Sequence, residues 1–327
     1  MAKPIQRIGV LTSGGDSPGM NAAIRGVVRT AVYRGVDVMG VFQGYDGLIK
    51  GDFKRLNVRS VAKILGRGGT ILKSARSAEF LTKEGRAEAF RQVQEHNVDA
   101  LVTIGGNGTF TGAHIFHEEF GIPVMGIPGT IDNDLYGTDN TIGFDTATNT
   151  VIEAVDKIRD TASSHNRLFF VEVMGRDSGF IALRAGMATG AIAVLLPEED
   201  QSIDELIAIL EKGKASNKTS SIVIVAEGDA NGGAYDVARK VNEKYSEYET
   251  RVTVLGHIQR GGEPSCWDRV LASRMGVAAV EGLLDGKTDV MIGVQNDTEV
   301  FTPLKEAFTR KASLNPNEIR MSKILSI

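Results

Sequence analysis

The chain has 327 residues, of which 42% are hydrophobic and 24% charged, and its formal net charge is −4. These values are typical of a globular protein with one large or two medium domains, and they exclude a global basic field that attracts nucleic acid or acidic membranes. No apolar run approaches the length of a membrane span, and the amino terminus lacks the pattern of a signal peptide. The single cysteine, Cys266, cannot form an internal disulfide, so we expect a soluble protein of a reducing, cytoplasmic compartment.

Short apolar runs rich in β-branched residues alternate along the chain with longer segments of helical periodicity. The runs predict strands over 8–11, 38–41, 100–104, 124–127, 168–173, 192–196, 221–225 and 252–255. The helical periodicity predicts helices over about 20–34, 111–119 and 146–159, and a capping box from Ser202 to Glu205 begins another. This alternation indicates an α/β protein with parallel sheets covered by helices on both faces, and the elements are too numerous for one small sheet.

Three predicted strands end in unusual loops, at the edge where parallel sheets bind their ligands. Loops 12–16 and 105–109 contain paired glycines, and loop 128–134 follows the strand that ends at residue 127. Paired glycines let the backbone approach a ligand closely, and N–H groups at a following helix attract phosphate. Each loop alone is also compatible with a tightly packed turn, but three such loops on neighbouring strands favour a phosphate site.

The third loop adds two carboxylates, Asp132 and Asp134, which point to the same side if the segment is extended. Such a pair suits a base that takes a hydroxyl proton beside a group that holds metal or water, although an ordinary Asx-rich turn has the same composition. Further cations stand in loop contexts, most of them beside glycines: Arg67, Arg76, Arg176, His257 and Arg260. Because guanidinium groups bind phosphate with paired hydrogen bonds, these residues predict an enzyme that handles phosphate-bearing small molecules.

Four blocks of the sequence resemble the ATP-dependent 6-phosphofructokinases of bacteria, and the likeness covers nearly the whole chain. The blocks are 9–23, 128–134, 171–176 and 253–262. The resemblance implies two domains, each a mostly parallel sheet flanked by helices: an ATP-binding domain of residues 1–142 plus 258–309, and a fructose 6-phosphate-binding domain of residues 143–257 plus 310–327. It implies a glycolytic, Mg²⁺-dependent kinase that transfers the γ-phosphoryl of ATP to the 1-hydroxyl of fructose 6-phosphate. It also implies a homotetramer, with no nucleic-acid or membrane partner.

The resemblance also assigns site residues position by position. Those that match nucleotide-site positions are Gly15, Tyr45, Arg76, Ser77, Gly106, Asn107, Gly108 and Thr109. Those that match sugar-site positions are Thr130, Ile131, Asp132, Met174, Gly175, Arg176, Glu227, His257 and Arg260, with Arg167 and Arg251 reaching the sugar of an adjacent subunit. Asp132 matches the catalytic base, Arg76 offsets charge on the transferred phosphoryl group, and Asp134 completes the catalytic set.

The sequence departs from the family pattern in two regions. Asn107 stands where an aspartate usually serves magnesium, so it either offers its amide oxygen to the metal or shapes the backbone in a left-handed conformation. Basic residues of the family's effector site are matched by Arg25, Arg29, Arg59, Arg159 and Lys218. However, Val58 replaces an arginine, Ile192 replaces a metal-binding glutamate, and Ser216 and Thr219 replace lysines. We therefore expect weakened allosteric regulation.

Two other functions remain open at this stage. Pyrophosphate-dependent relatives tend to carry an acidic residue at the position of Gly108 and a lysine at that of Gly129, so the two glycines favour ATP. A non-catalytic sensor of nucleotide or sugar phosphate is supported by Asn107, whereas Asp132, Asp134 and Arg76 argue against it.

Overall fold

The computed structural model describes residues 4–162, 167–215 and 221–326. It divides into two compact units. The first unit contains residues up to 130, 135–146 and 260–312, and the second contains 131–134, 147–259 and the residues from 313 onward. The assignment of ATP and sugar phosphate to separate domains stays a prediction.

The strands and helices alternate as the sequence predicts. The strands are β1 (Arg7–Thr12), β2 (Asp37–Val41), β3 (Phe53–Leu56), β4 (Ala100–Gly105), β5 (Val124–Pro128), β6 (Arg167–Val173), β7 (Ala193–Leu195), β8 (Ser221–Ala226), β9 (Glu249–Val254), β10 (Val290–Gln295) and β11 (Thr298–Pro303). The α-helices are α1 (Met20–Tyr33), α2 (Gly44–Lys50), α3 (Lys83–Glu95), α4 (Asn107–Phe120), α5 (Phe144–Ala162), α6 (Phe180–Thr189), α7 (Ile203–Ala215), α8 (Ala234–Lys244), α9 (Cys266–Leu284), α10 (Leu304–Thr309) and α11 (Pro316–Leu325).

The first unit contains a seven-stranded sheet in the order β11-β10-β5-β4-β1-β2-β3. Its inner strands are parallel, and β3 and β11 are antiparallel to their neighbours. Every residue of β4 and β5 is buried, as the unbroken apolar runs predict for strands covered on both faces. Helices α1 and α9 pack closely on one face of this sheet, and glycines at the contact allow the close approach. A Cβ on Gly26 of α1 would lie only 3.1 Å from the Cα of Gly276 of α9.

The second unit contains a four-stranded parallel sheet in the order β7-β8-β6-β9. Its apolar core joins Leu168 and Phe170 of β6 to Leu206 and Leu210 of α7. The predicted capping box is confirmed. The Glu205 N–H donates to the Ser202 hydroxyl (3.2 Å), and the Ser202 N–H donates to the Glu205 carboxylate (2.9 Å). The predicted α/β class, with mostly parallel sheets between helices, is therefore correct.

One predicted boundary differs from the structure in a way that matters for the site. The expected helix at 111–119 begins at Asn107, so the glycine loop itself forms its first turn. Gly108 hides this start in the sequence, because glycine is a poor helix former. Tertiary contacts fix the turn, since the Thr109 hydroxyl donates to the Ser13 carbonyl (3.0 Å). None of the helices that the structure describes is long and apolar enough to cross a membrane.

Candidate functional site

The three loops singled out in the sequence follow β1, β4 and β5, which are neighbouring parallel strands of the first unit. The Ser13 N–H donates to the Ile104 carbonyl (3.0 Å), and the Gly129 N–H donates to the Gly105 carbonyl (3.0 Å). A Cβ on Gly105 would lie 2.4 Å from the Ser13 oxygen, so a larger residue cannot stand there without moving the loops apart. The loops therefore lie side by side at one edge of the sheet.

The amino terminus of α4 forms the centre of this edge. Gly106 precedes the helix in an extended conformation and supplies no side-chain cap. The first N–H groups of a helix have no acceptor within it, and the helix dipole makes this end partly positive. A Cβ on Gly108 would meet no atom within 4 Å, so space remains above the turn. The geometry suits an anion such as phosphate.

Asn107 is the first residue of α4 and does not have a positive φ. The interpretation that it shapes a left-handed backbone is therefore wrong, because this residue is helical. Its amide lies at the partly positive end of the helix, where a metal-bound phosphate would also be attracted.

Tyr45 lies beneath the same turn. Its hydroxyl donates to the Thr109 carbonyl (2.5 Å), and its ring stacks on Phe80 with centroids 4.0 Å apart. Burial raises the pKa of Tyr45 far above its ordinary value, so the hydroxyl remains a donor. Only 6% of the residue is exposed, which makes it a support for α4 and leaves little surface to contact a nucleotide.

The predicted nucleotide residues Arg76 and Ser77 follow Ser74, whose hydroxyl donates to the Gly14 carbonyl of the β1 loop (2.5 Å). Arg76 is exposed, and the Ser77 hydroxyl accepts from the Phe80 N–H (3.3 Å). Arg260, which the resemblance assigns to the sugar, lies against the β1 loop in the first unit. Its guanidinium donates to the Asp16 carbonyl (3.3 Å), and a Cβ on Gly15 would lie 2.5 Å from Nη1. Gly15 therefore makes room for Arg260 at the loop.

A second cluster forms at the carboxyl edge of the four-stranded sheet. The N–H groups of Gly175 and Arg176 both donate to Glu227 Oε1, at 3.2 and 2.8 Å. The Met174 N–H donates to the side chain of Gln259 (3.2 Å), which is fully buried. Arg176 has a φ of 53°, so its backbone is held in the left-handed region while its side chain is exposed. The structure thus brings four of the predicted sugar-site residues together: Met174, Gly175, Arg176 and Glu227. A fifth, His257, is exposed in the 3₁₀ helix Gly256–Arg260.

The segment with the paired carboxylates is not extended. Asn133, between Asp132 and Asp134, has a φ of 54°, which breaks the alternation of an extended strand. The prediction that both carboxylates point to one side assumes an extended segment, and it is therefore wrong. Asp132 is 6% exposed, and its carbonyl accepts from the hydroxyl of Ser178 (2.8 Å). Its neighbours Thr130 and Ile131 are buried as well.

Arg167 and Arg251 lie on the neighbouring strands β6 and β9, and both pair with Glu249. The hydrogen bond from Arg167 is the main reason why the pKa of Glu249 is lowered. Arg167 begins β6, whereas the sugar cluster follows its end, seven residues or about 23 Å further along the strand. The structure therefore does not bring these arginines to the sugar cluster of their own chain.

The residues predicted for an effector site are only partly described. Arg25 and Arg29 lie one turn apart on α1, and burial and then the charge of Arg29 lower the pKa of Arg25. Arg59 is exposed, and Arg159 donates to the Thr189 carbonyl. Ile192 packs in the apolar core of the second unit. The predicted residue Lys218, like Ser216 and Thr219, lies outside the described residues.

Two buried polar residues fix loops of the first unit and were not predicted. The Asn21 amide donates to the Arg67 carbonyl (2.9 Å) and accepts from the Ile71 N–H (2.8 Å), which fixes the loop between them. Asp268 is fully buried and accepts from the N–H groups of Gly143 (2.8 Å) and Thr146 (2.9 Å). Burial raises the pKa of Asp268 to about 6. A polar residue on an otherwise apolar helix face is the signal that could have revealed Asn21 and Asp268.

The resemblance implies Mg²⁺, and the predicted side chains have the oxygen atoms that this ion prefers. Asn107 in the first unit has an amide oxygen, and Asp132 and Asp134 in the second unit have carboxylate oxygens. Mg²⁺ prefers oxygen ligands and is usually held by one or two carboxylates together with substrate phosphates.

The fold and the loops together define an α/β protein in which glycine loops and the amino terminus of α4 form an edge suited to binding anions. The phosphofructokinase family profile matches residues 7–283. An ATP-dependent 6-phosphofructokinase 1 of Thermus thermophilus is 55% identical over 99% of this chain and 100% of its own length. An ATP-dependent 6-phosphofructokinase 2 of Bacteroides thetaiotaomicron is 51% identical over 99% of both chains. The phosphofructokinase structure from Saccharomyces cerevisiae superposes with a TM-score of 0.88 at 39% identity, over 93% of this chain and 45% of that longer chain. The chain belongs to the phosphofructokinase family.

Proposed function

We propose that the chain is an ATP-dependent 6-phosphofructokinase, which transfers the γ-phosphoryl of ATP to the 1-hydroxyl of fructose 6-phosphate. The observation that carries this proposal is the uncapped amino terminus of α4, which lies between the β1 and β5 loops with open space above Gly108. An enzyme of this kind needs a site that holds phosphate through backbone N–H groups. The names of the relatives that are 51–55% identical over the whole chain support the same activity.

Phosphoryl transfer depends on positioning and on neutralising charge more than on covalent chemistry. In the proposed reaction, Asp132 takes the proton of the attacking sugar hydroxyl, and that oxygen then attacks the γ-phosphorus while ADP leaves. Arg76 offsets the charge that develops on the transferred group. The hydrogen bond from Ser178 to the Asp132 carbonyl holds the base in place, because both residues are buried.

The sugar phosphate would bind at the carboxyl edge of the four-stranded sheet. Glu227 accepts two backbone hydrogen bonds from the turn of Gly175 and Arg176, which fixes the turn and directs the Arg176 side chain outward. Arg176 and His257 are exposed and can donate to a phosphate or to sugar hydroxyls. Met174, whose N–H is held by Gln259, would border the sugar ring.

A divalent metal is part of the proposal, and Mg²⁺ is the ion that the oxygen ligands favour. Asn107, with Asp132 or Asp134, would hold it together with the phosphates of ATP. When bound, the ion neutralises charge on the phosphates. Because the family aspartate is replaced by Asn107, we expect the protein to hold the ion less tightly.

ATP is favoured over pyrophosphate by the two glycines of the donor site. Gly108 leaves open space, where an acidic side chain would stand in the pyrophosphate-dependent relatives. A Cβ on Gly129 would lie 3.0 Å from Ile104 and 3.2 Å from Met20, so a lysine there would need its neighbours to move. Gly129 is therefore suited to glycine, and the open space at Gly108 leaves room for a larger donor.

We further propose a homotetramer in which Arg167 and Arg251 complete the sugar site of a neighbouring subunit. The argument is their distance from the sugar cluster of their own chain, which lies beyond the far end of β6. A glycolytic kinase of this kind would work in the cytoplasm, where its substrates are found.

A coupled assay that detects fructose 1,6-bisphosphate tests the activity. We expect turnover with ATP, Mg²⁺ and fructose 6-phosphate, and none when pyrophosphate replaces ATP. Asp132→Ser should lower kcat by about 10² to 10⁴-fold and leave sugar binding largely unchanged. Asp156→Ser, at an exposed aspartate of α5, is the matched control and should keep full activity. Sugar binding without turnover with either donor would support the sensor instead, and a kcat that Asp132→Ser leaves unchanged would refute the role of Asp132.

A further inference from the structure

A histidine and two carboxylates meet in the first unit, away from the glycine loops. His114 and Glu118 lie four residues apart on α4 and therefore on one face of the helix. Asp289 comes from the turn before β10, 175 positions further along the chain from His114. Their potential ligand atoms all lie within 4.8 Å of one another.

The pair of His114 and Asp289 is held firmly. Nδ1 of His114 lies 3.0 and 2.9 Å from the two carboxylate oxygens of Asp289, and both side chains are about four-fifths buried. The Asp289 N–H donates to the Val124 carbonyl, and its own carbonyl accepts from the Leu304 N–H, each at 2.9 Å. Because both backbone groups are bonded, the carboxylate has a fixed position facing α4. Glu118 is exposed and can turn toward the pair.

The spacing fits a first-row transition metal. A tetrahedral ion about 2.0 to 2.2 Å from nitrogen and oxygen ligands separates those ligands by roughly 3.4 Å. The shortest separation, 2.9 Å between His114 and Asp289, is below that value, and no pair of ligand atoms is more than 4.8 Å apart, so small side-chain rotations would suffice. An imidazole among the ligands selects zinc-like ions, whereas Mg²⁺ prefers oxygen alone.

We propose that His114, Glu118 and Asp289 form a Zn²⁺-class metal site, distinct from the proposed Mg²⁺ site. His114 is seven residues beyond Asn107, about 10 Å along the axis of α4. A bound ion ties the second half of α4 to the turn before β10, so its effect is to stabilise the first unit. Three protein ligands leave room for water at the metal.

The direct test is calorimetric titration of the full chain with Zn²⁺ in excess Mg²⁺, so that Mg²⁺ occupies sites made of oxygen ligands. Cys266, the single and exposed thiol, is replaced by serine in every protein so that it cannot compete. We expect one Zn²⁺ per chain. Glu118→Gln should weaken binding by about tenfold or more, because it removes a charged ligand at an exposed position. Glu84→Gln, at an exposed glutamate of α3, should bind Zn²⁺ like the unmodified chain.

Thermal unfolding supplies the second measurement. Zn²⁺ at about 100 times its dissociation constant should raise Tm by several degrees in the unmodified chain, because it binds the folded state. The rise should disappear in His114→Gln and in Asp289→Asn, whose Tm without metal shows whether they still fold. The proposal is overturned if no equimolar binding occurs below about 100 µM Zn²⁺, or if Glu118→Gln and Glu84→Gln bind Zn²⁺ alike.

Discussion

Asn107→Asp introduces the carboxylate that the resemblance leads us to expect at this position and changes almost nothing in size. Asn107 is the first residue of α4, and Gly106 leaves this helix end without a side-chain cap. A negative charge in the first turn typically stabilises a helix by about 0.3 to 1 kcal/mol. We therefore expect a small gain in stability, of about 0.5 kcal/mol, before any metal binds.

The larger effect concerns the metal. Two opposite unit charges 4 Å apart attract by about 4 kcal/mol at an effective dielectric constant of 20. The ion and the carboxylate lose hydration when they meet, and this cost offsets most of the attraction. If about 1.4 kcal/mol of binding free energy remains, the affinity for the ion rises about tenfold. We therefore expect the free Mg²⁺ needed for half-maximal rate to fall about tenfold, with kcat preserved or raised.

Initial rates over a series of free Mg²⁺ concentrations, at saturating ATP and fructose 6-phosphate, measure this effect. Asn317→Asp provides the matched control, because Asn317 is exposed in the first turn of α11. It adds the same charge to a helix amino terminus but should leave the Mg²⁺ requirement unchanged. An unchanged requirement together with lost activity in Asn107→Asp would refute a metal role for Asn107. Activity that appears only in Asn107→Asp would favour the sensor function.

Three further outcomes are expected. Burial raises the pKa of Asp268 from 3.8 to about 6, so the folded chain holds this proton more tightly than the unfolded chain does. This difference adds up to about 3 kcal/mol to the free energy of unfolding below pH 4, and the contribution is lost as the pH rises through 6. Urea unfolding at several pH values should show this decrease in the unmodified chain and not in Asp268→Asn. Hybrids formed from Arg251→Ala and Asp132→Ser subunits should recover part of the activity, whereas confirmed hybrids without activity would exclude shared sites. ADP or phosphoenolpyruvate should shift the fructose 6-phosphate saturation curve little, because Ile192 offers no charge, and a strong shift would show that an effector site persists.

The sequence predicted most of the strands with unbroken apolar runs, although the apolar run of β10 was missed. Strands β4 and β5 are buried throughout, so their composition alone identifies them. The antiparallel strands β3 and β11 were missed because they are partly exposed at the sheet edges and have mixed composition. The start of α4 was missed because Asn107 and Gly108 have low helix propensity, and contacts to other loops decide their conformation.

The candidate site was predictable in its glycines but not in its supports. Gly105 and Gly108 stand in a recognisable loop, and the structure explains why each is a glycine. A Cβ on Gly105 would collide with the Ser13 carbonyl, and the absence of a side chain at Gly108 leaves the space above the helix open. Gln259 and Ser178, in contrast, look like ordinary polar residues in the sequence. Their importance comes from burial and from partners distant in the chain, Met174 and Asp132, which no local pattern reveals.

The two ends of the four-stranded sheet carry different parts of the proposed sugar site. Glu227 and the turn at Arg176 lie at the carboxyl edge, whereas Arg167 lies at the amino end of β6 and Arg251 on the neighbouring β9. Met174 follows Arg167 by seven residues, or about 23 Å, and follows Phe169, the partner of Arg251, by five residues, or about 16 Å, and an arginine side chain spans neither distance. If both sets of residues bind one sugar phosphate, the arginines must come from a second copy of the chain. Under the proposed function, assembly is therefore a requirement of catalysis, and Glu249 keeps Arg167 and Arg251 together on the strands that would face the neighbouring subunit.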